Sequence, residues 1–148
     1  MFRPSGLIGK LITIIDGSQY SHGAIYLGTY GGQKIFIESH EKKGGVVIVR
    51  LEEWRRNYDV YRPKHIKTPK DKREVLRLLN TPYDYGRLWW IFKSKILKFN
   101  LQNDDDKKLI CTELCDNVWH YDLGSGKTCT PLTIEKLYKD GHLDKIKI

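Results

Sequence analysis

Apolar residues recur with a helical period near the start of the chain, from residue 6 to residue 16. The repeat at i, i+1, i+4, i+5 and i+8 predicts an amphipathic helix, and Ser5 is placed to cap its first amides. The same spacing predicts four further helices, which cover residues 68–80, 84–99, 109–121 and 131–138. The second of these four is apolar on too many sides to be fully solvated, so we expect it to pack against another element.

Runs rich in β-branched and aromatic residues predict strands between the first two helices. Residues 20–28 and 33–39 form the predicted hairpin, and residues 46–49 and 58–61 continue it. The prediction is therefore an α+β fold in which an antiparallel β-meander packs against helices. The chain has 148 residues, which is the size of a single domain, and we assign residues 1–148 to one unit.

The net charge indicates which classes of partner the protein could bind. Lys and Arg exceed Asp and Glu by 26 to 18, a net charge of +8 that favours an anionic polymer or a membrane surface. No base-reading motif accompanies these charges, so we expect no specific nucleic-acid binding. No apolar run approaches the roughly 20 residues of a transmembrane helix, and no signal peptide is evident. Three cysteines fit a reducing compartment, so we expect cytoplasmic synthesis. We also expect a monomer.

Hairpin geometry brings two residues with catalytic chemistry together. Strands joined by a short loop near position 30 pair residues whose numbers add up to about 60 to 62. The numbers of His22 and Glu38 add up to 60. We therefore expect the Glu38 carboxylate to orient the His22 imidazole.

Cys111 opens the predicted helix at residues 109–121. Unpaired amides and the positive end of the helix dipole lower the pKa of a thiol at this position, and a neighbouring His22 lowers it further. The Cys111 amide is also placed to donate to a developing oxyanion. Tyr20 and Tyr85 are the candidates for a second donor, since a phenol can hydrogen-bond an oxyanion.

Other interpretations of these residues stay open. Cys111 could be a small buried apolar residue, as we predict for Cys115 one turn later, while Cys129 has no assigned role. A zinc site would need Cys111, Cys115, His120 and Cys129, but a Cys-x3-Cys spacing on a continuous helix lacks the usual knuckle, so we predict no metal. His40 has no evident partner and is assigned to the surface.

Three stretches together resemble the NlpC-like superfamily, in its circularly permuted papain-like branch of YiiX-like hydrolases and a related poxvirus group. The matching residues are Ser21-His22-Gly23-Ala24-Ile25-Tyr26, Ile37-Glu38-Ser39 and Cys111-Thr112-Glu113-Leu114, in the order of the permuted branch. Tyr83-Asp84-Tyr85 and Thr130-Pro131-Leu132 also match. The family opens with a Gly-Asp-Ile-type strand, for which this chain has only residues 1–4, so we expect a shortened sheet edge.

The resemblance implies a permuted papain-like fold whose helix carries the nucleophile at its N-terminus. It implies a cysteine hydrolase or acyltransferase that cleaves amide, isopeptide or ester bonds through Cys111, His22 and Glu38, with no cofactor. Its substrate would be a peptide or an acyl compound, and cell-wall peptides are one class found among relatives. Two alternatives remain. One is a lipid or thioester acyl hydrolase at a membrane surface, suggested by Trp89-Trp90 and the lysines that follow. The other is a binding module without catalysis.

Overall fold

The computed structural model describes residues 1–4, 6–53, 57–64, 72–97, 107–119 and 129–148. Within these ranges the protein mixes helices and antiparallel sheet, as the α+β prediction requires. The helices are α1 (Gly6–Asp16), α2 (Lys72–Leu76), α3 (Tyr85–Leu97), α4 (Cys111–Trp119) and α5 (Pro131–Lys139). The strands are β1 (Ile25–Tyr30), β2 (Gln33–His40), β3 (Gly45–Arg50), β4 (Val60–Pro63) and β5 (Leu143–Ile146).

Strands β1, β2 and β3 form an antiparallel sheet in that order. The β1–β2 turn is shorter than predicted, because β1 runs to Tyr30 and only Gly31 and Gly32 lie between the strands. Both glycines have positive φ angles, 56° and 78°. Positive φ at both central residues is characteristic of the two-residue type I′ turn, whose twist matches that of the flanking strands.

The prediction that residues 58–61 continue the meander as its fourth strand is wrong. Strand β4 does not join β1–β3 but pairs with β5 in a separate two-stranded sheet. Strand β5 was not predicted, because Leu143–Ile146 is short and carries two charged residues among four. Its partner lies about 80 positions away along the chain, a pairing that local patterns do not reveal.

Residues 1–4 contact the segments that precede β1 and β4. Phe2 makes isolated bridges to His22 on one side and to Tyr58 on the other. The Phe2 amide donates to the His22 carbonyl at 2.8 Å, and the Ser21 amide donates to the Phe2 carbonyl at 3.1 Å. The N-terminal segment is therefore held by backbone hydrogen bonds beside His22.

The hydrophobic core lies between the three-stranded sheet and the helices that follow it. Its buried members are Ile25, Ile37, Val46, Val75, Leu109, Leu114 and Val118. This core fixes α4 against β2, so the first turn of α4 has a defined position relative to the sheet. The predicted helices at 84–99, 109–121 and 131–138 correspond to α3, α4 and α5. Ser5, residues 65–71 and residues 98–106 and 120–128 lie outside the described residues.

Candidate active site

The structure brings His22 and Glu38 into direct contact. His22 Nε2 lies 2.7 Å from Glu38 Oε2, and the Glu38 side chain is fully buried while that of His22 is 14% exposed. A carboxylate at this distance fixes the orientation of the ring. Because Nε2 faces Glu38, Nδ1 is the ring nitrogen left to face the thiol of Cys111.

The route to this contact differs from the hairpin prediction. His22 lies outside β1 and bridges Phe2, whereas Glu38 pairs with Val47 of β3. The β1–β2 register pairs Ile25 with Ile37 and then shifts at a bulge after Tyr26. The predicted register is confirmed, since Ile25 pairs with Ile37 and their numbers add up to 62. The predicted strand at residues 20–28 is wrong at its start, because β1 begins only at Ile25 and His22 lies before it. The predicted contact between the His22 and Glu38 side chains is present.

Cys111 is the first residue of α4, and its neighbours hold that helix end in place. Ser39 Oγ donates to the Leu109 carbonyl at 2.6 Å, which ties β2 to the segment that enters the helix. The Glu113 carboxylate accepts the Ile110 amide at 3.1 Å, in the manner of a capping box. Thr112 Oγ1 donates to the Cys129 carbonyl at 2.7 Å and joins α4 to the segment before α5.

The environment of Cys111 favours its thiolate. Burial opposes ionisation, but the charge of His22, a hydrogen bond with that ring and the Gly23 amide together lower the pKa of Cys111. The positive end of the α4 dipole lies at Cys111 and also lowers the pKa of this thiol, because it stabilises the thiolate. Glu113 would oppose this effect, but Arg87 Nε lies 3.0 Å from its carboxylate.

The His22 ring is held in its protonated form by the same contacts. Burial alone would lower the pKa of His22, but Cys111 and Glu38 outweigh it and raise this pKa to about 9. A raised imidazole pKa beside a lowered thiol pKa indicates a thiolate–imidazolium pair at neutral pH. This pair combines an activated nucleophile with a proton donor.

The other two cysteines lack this environment. Burial raises the pKa of Cys115 to about 12, and burial also raises the pKa of Cys129. Both thiols are therefore protonated at neutral pH. Cys115 is only partly buried and packs against the core, so the prediction that it is a buried apolar residue is confirmed in part. Among the described residues there is no group of three or more potential ligands arranged for a metal ion, and His120 lies outside them.

Neither tyrosine named as an oxyanion donor lines the cavity at Cys111. The Tyr20 hydroxyl donates to Asp59 Oδ2 and contacts the Tyr61 hydroxyl. The Tyr85 hydroxyl donates to the Glu41 carbonyl. The predictions for Tyr20 and Tyr85 as oxyanion donors are therefore not supported by the structure.

His40 is a cavity residue that the sequence analysis assigned to the surface. Its ring centroid lies 6.4 Å from that of His22, and the residue is only partly exposed. His40 follows Glu38 by two positions on β2, so both side chains belong to the same face of the sheet. That alternation is the signal in the sequence that would have found it.

One wall of the cavity is apolar. The cavity has a volume of about 90 Å³ and contains Cys111, His22 and His40. Helices α1 and α3, which pack together, supply the apolar wall through Ile8, Ile12, Ile15, Leu88, Ile91 and Phe92. The Cys111 thiolate therefore lines a space whose apolar wall suits an aliphatic or other apolar group.

Comparison with known proteins gives no match to a family model, a curated protein or a solved structure. No helix among the described residues is long and apolar enough to cross a bilayer.

Proposed function

We propose that the protein is a cysteine-dependent hydrolase or acyltransferase of permuted papain-like fold, acting on amide, isopeptide or ester bonds. The observation that carries this proposal is the buried contact of 2.7 Å between Glu38 and His22, beside a thiol at a helix N-terminus. Carboxylate, imidazole and thiol in this order form the arrangement used for nucleophilic acyl transfer.

In the first half of the reaction, the Cys111 thiolate attacks the acyl carbon, and the carbonyl π pair moves to oxygen. The pair returns as the bond to the leaving group breaks, and the leaving amine or alcohol takes the proton from His22. In the second half, a water molecule or another acceptor loses its proton to His22 and attacks the thioester. The carbon–sulfur bond then breaks, which releases the product and restores the ion pair.

Glu38 holds the imidazole with Nδ1 toward the sulfur and stabilises its protonated form. These steps use side chains of the protein only, so the proposed mechanism includes no metal or organic cofactor.

Acyl-enzyme formation tests this proposal. The protein would be mixed with p-nitrophenyl acetate, butyrate and octanoate, followed by intact-mass measurement of acid-quenched samples. We expect a burst of p-nitrophenol equal to the enzyme concentration and a mass increase equal to the acyl group. Cys111→Ala removes both signals, whereas Cys115→Ala, one turn later on the same helix, keeps them. A protein that takes up no acyl group from any of these esters contradicts the proposal.

A second candidate function is a lipid or thioester acyl hydrolase at a membrane surface. The observation that favours it is an exposed apolar surface on the two helices that supply the cavity wall, to which Leu7, Ile8, Leu11 and Ile14 of α1 and Trp89 of α3 contribute. Leu7 is 84% exposed and Ile14 is 77% exposed. Ile8 belongs to this surface and also lines the cavity. Lys93 Nζ lies 5.5 Å from the Trp89 ring, which places a cation beside the apolar surface.

Vesicle sedimentation separates this candidate from a hydrolase of soluble peptides. Ile14→Glu should weaken binding to vesicles of phosphatidylglycerol and phosphatidylcholine at least about tenfold, because burying an isoleucine contributes about 1.5–3 kcal/mol. Ile48→Glu is the matched control, since Ile48 is a 45% exposed isoleucine on β3. Absence of vesicle binding, or equal losses in the two variants, would exclude the membrane candidate. Salt-sensitive binding to vesicles without acyl-enzyme formation would instead favour the binding module.

A further inference from the structure

An acyl-transfer site needs hydrogen-bond donors for the oxygen that becomes negatively charged. The Cys111 amide, at the first turn of α4, is one donor without a partner inside its own helix. The hydroxyls of Tyr20 and Tyr85 are engaged by Asp59, Tyr61 and the Glu41 carbonyl. The second donor must therefore come from another residue of the cavity.

His40 occupies the right place. It lies at the end of β2, on the same face as Glu38, and lines the cavity that contains Cys111. Its ring centroid is 6.4 Å from that of His22.

The local backbone selects one tautomer of the His40 ring. The Lys42 amide donates to His40 Nδ1 at 3.1 Å, where His40 caps the 3-10 turn Glu41–Lys43. A nitrogen that accepts a hydrogen bond carries no proton, so the neutral ring carries its proton on Nε2. Nε2 therefore carries the N–H of the neutral ring.

The neutral form of His40 is also the favoured one. Burial lowers the pKa of His40, and His22 and Lys43 lower it further, against opposing contributions from Glu38 and Glu41. His22 and His40 therefore differ in charge at neutral pH, with His22 protonated and His40 neutral. A neutral imidazole donor can stabilise an oxyanion without competing with His22 for the proton of the reaction.

We propose that His40 is a catalytic residue whose Nε2–H, together with the Cys111 amide, donates to the acyl oxygen as negative charge develops on it. No bond to His40 is formed or broken, and its proton stays on Nε2 throughout. This inference rests on the proposed function, because it concerns the transition state of the same acyl transfer.

Two substitutions distinguish the role of His40 as a hydrogen-bond donor from its role as a cap of the 3-10 turn. In His40→Asn the side-chain oxygen can still accept the Lys42 amide, but no group remains at the Nε2 position. In His40→Gln the side-chain nitrogen reaches the Nε2 position as a donor, but the acceptor for Lys42 is lost. A donor role predicts a loss of rate in the first variant, whereas a capping role predicts a loss in the second.

The assay compares two reactions of the same thiol. Acylation by p-nitrophenyl butyrate develops an oxyanion, whereas alkylation by iodoacetamide depends on the thiolate and does not. We expect His40→Asn to slow acylation by about 100- to 1,000-fold, the usual effect of removing one oxyanion donor. Alkylation should stay within about twofold of wild type, and His40→Gln should retain most of the acylation rate.

Three results would overturn the inference. These are fast acylation of His40→Asn, equal losses of acylation in both variants, and parallel losses of acylation and alkylation in His40→Asn. A wild-type protein that is alkylated normally but is not acylated would instead contradict the proposed function and, with it, the role of His40. The two failures are therefore distinguishable.

Discussion

Replacing Glu38 by Gln removes one negative charge from the site while keeping an oxygen acceptor for His22. The wild-type carboxylate lies 2.7 Å from His22 Nε2 and is fully buried. A hydrogen bond to a charged group contributes about 1.5–3 kcal/mol and a neutral one about 0.5–1.5 kcal/mol, so the exchange costs the imidazolium about 1 to 1.5 kcal/mol.

That energy corresponds to about one pKa unit. The pKa of His22, raised to about 9 in the wild type, should fall by about that amount in Glu38→Gln. His22 must be protonated to release the leaving group, so activity is present below this pKa and is lost as the pH rises through it. The alkaline limb of the activity profile should shift to lower pH by about one unit. At a pH above the limbs of both proteins, the variant should therefore retain about a tenth of the wild-type activity.

The assay is the pH dependence of kcat/KM for butyryl p-nitroanilide, whose leaving amine needs a proton, between pH 5 and about 10, the range in which imidazole and thiol groups titrate. Glu41→Gln is the matched control, because Glu41 lines the same cavity without being the carboxylate that contacts His22. Circular dichroism checks that both variants are folded. An alkaline limb that stays in place in Glu38→Gln, or that moves equally in the control, would refute this account of Glu38.

Two further predictions concern stability. Gly45→Ala should lower the free energy of unfolding by more than about 2 kcal/mol in a urea titration, because the added Cβ would lie 2.3 Å from the Thr81 carbonyl oxygen; an unchanged midpoint would contradict this. Asp59→Asn should cost about 1 to 2 kcal/mol at neutral pH through the weakened bond from Tyr20. Burial raises the pKa of Asp59, but hydrogen bonds from Lys145 and Tyr20 lower it overall. Its stabilisation is thus present above the unfolded-state pKa and lost as the pH falls through the lower folded-state value, so the variant and the wild type should converge in acid.

The sequence patterns predicted the elements that are long and strongly periodic. Helices α3, α4 and α5 and the β1–β2–β3 sheet lie close to their predicted places, because each depends on local spacing and on one buried face. The pairing of β4 with β5 was not predictable in this way, since it depends on contact between distant segments. The bridge from Phe2 to His22 was not predictable either, because it also joins segments that are separated along the chain.

The candidate site was predictable in part for the same reason. Cys111 follows from its position at the start of a helix, and the proximity of His22 and Glu38 follows from the hairpin register, although β1 begins after His22. His40 was missed because it was considered alone rather than as the residue two positions after Glu38. The ability of a phenol to donate a hydrogen bond makes Tyr20 and Tyr85 candidates from the sequence. Only the structure shows that these hydroxyls donate to Asp59 and to the Glu41 carbonyl instead.

The pH dependence of Cys111 alkylation tests the central claim most directly. Wild type and His22→Ala would be treated with iodoacetamide across a pH series, and each cysteine would be quantified by peptide mass spectrometry. Cys115 serves as an internal reference because its pKa is raised to about 12. The account predicts that wild-type Cys111 reacts with a midpoint below the ordinary thiol value of about 8.5 and that His22→Ala raises this midpoint. A midpoint at or above that value, unchanged by His22→Ala, would contradict a thiolate–imidazolium pair.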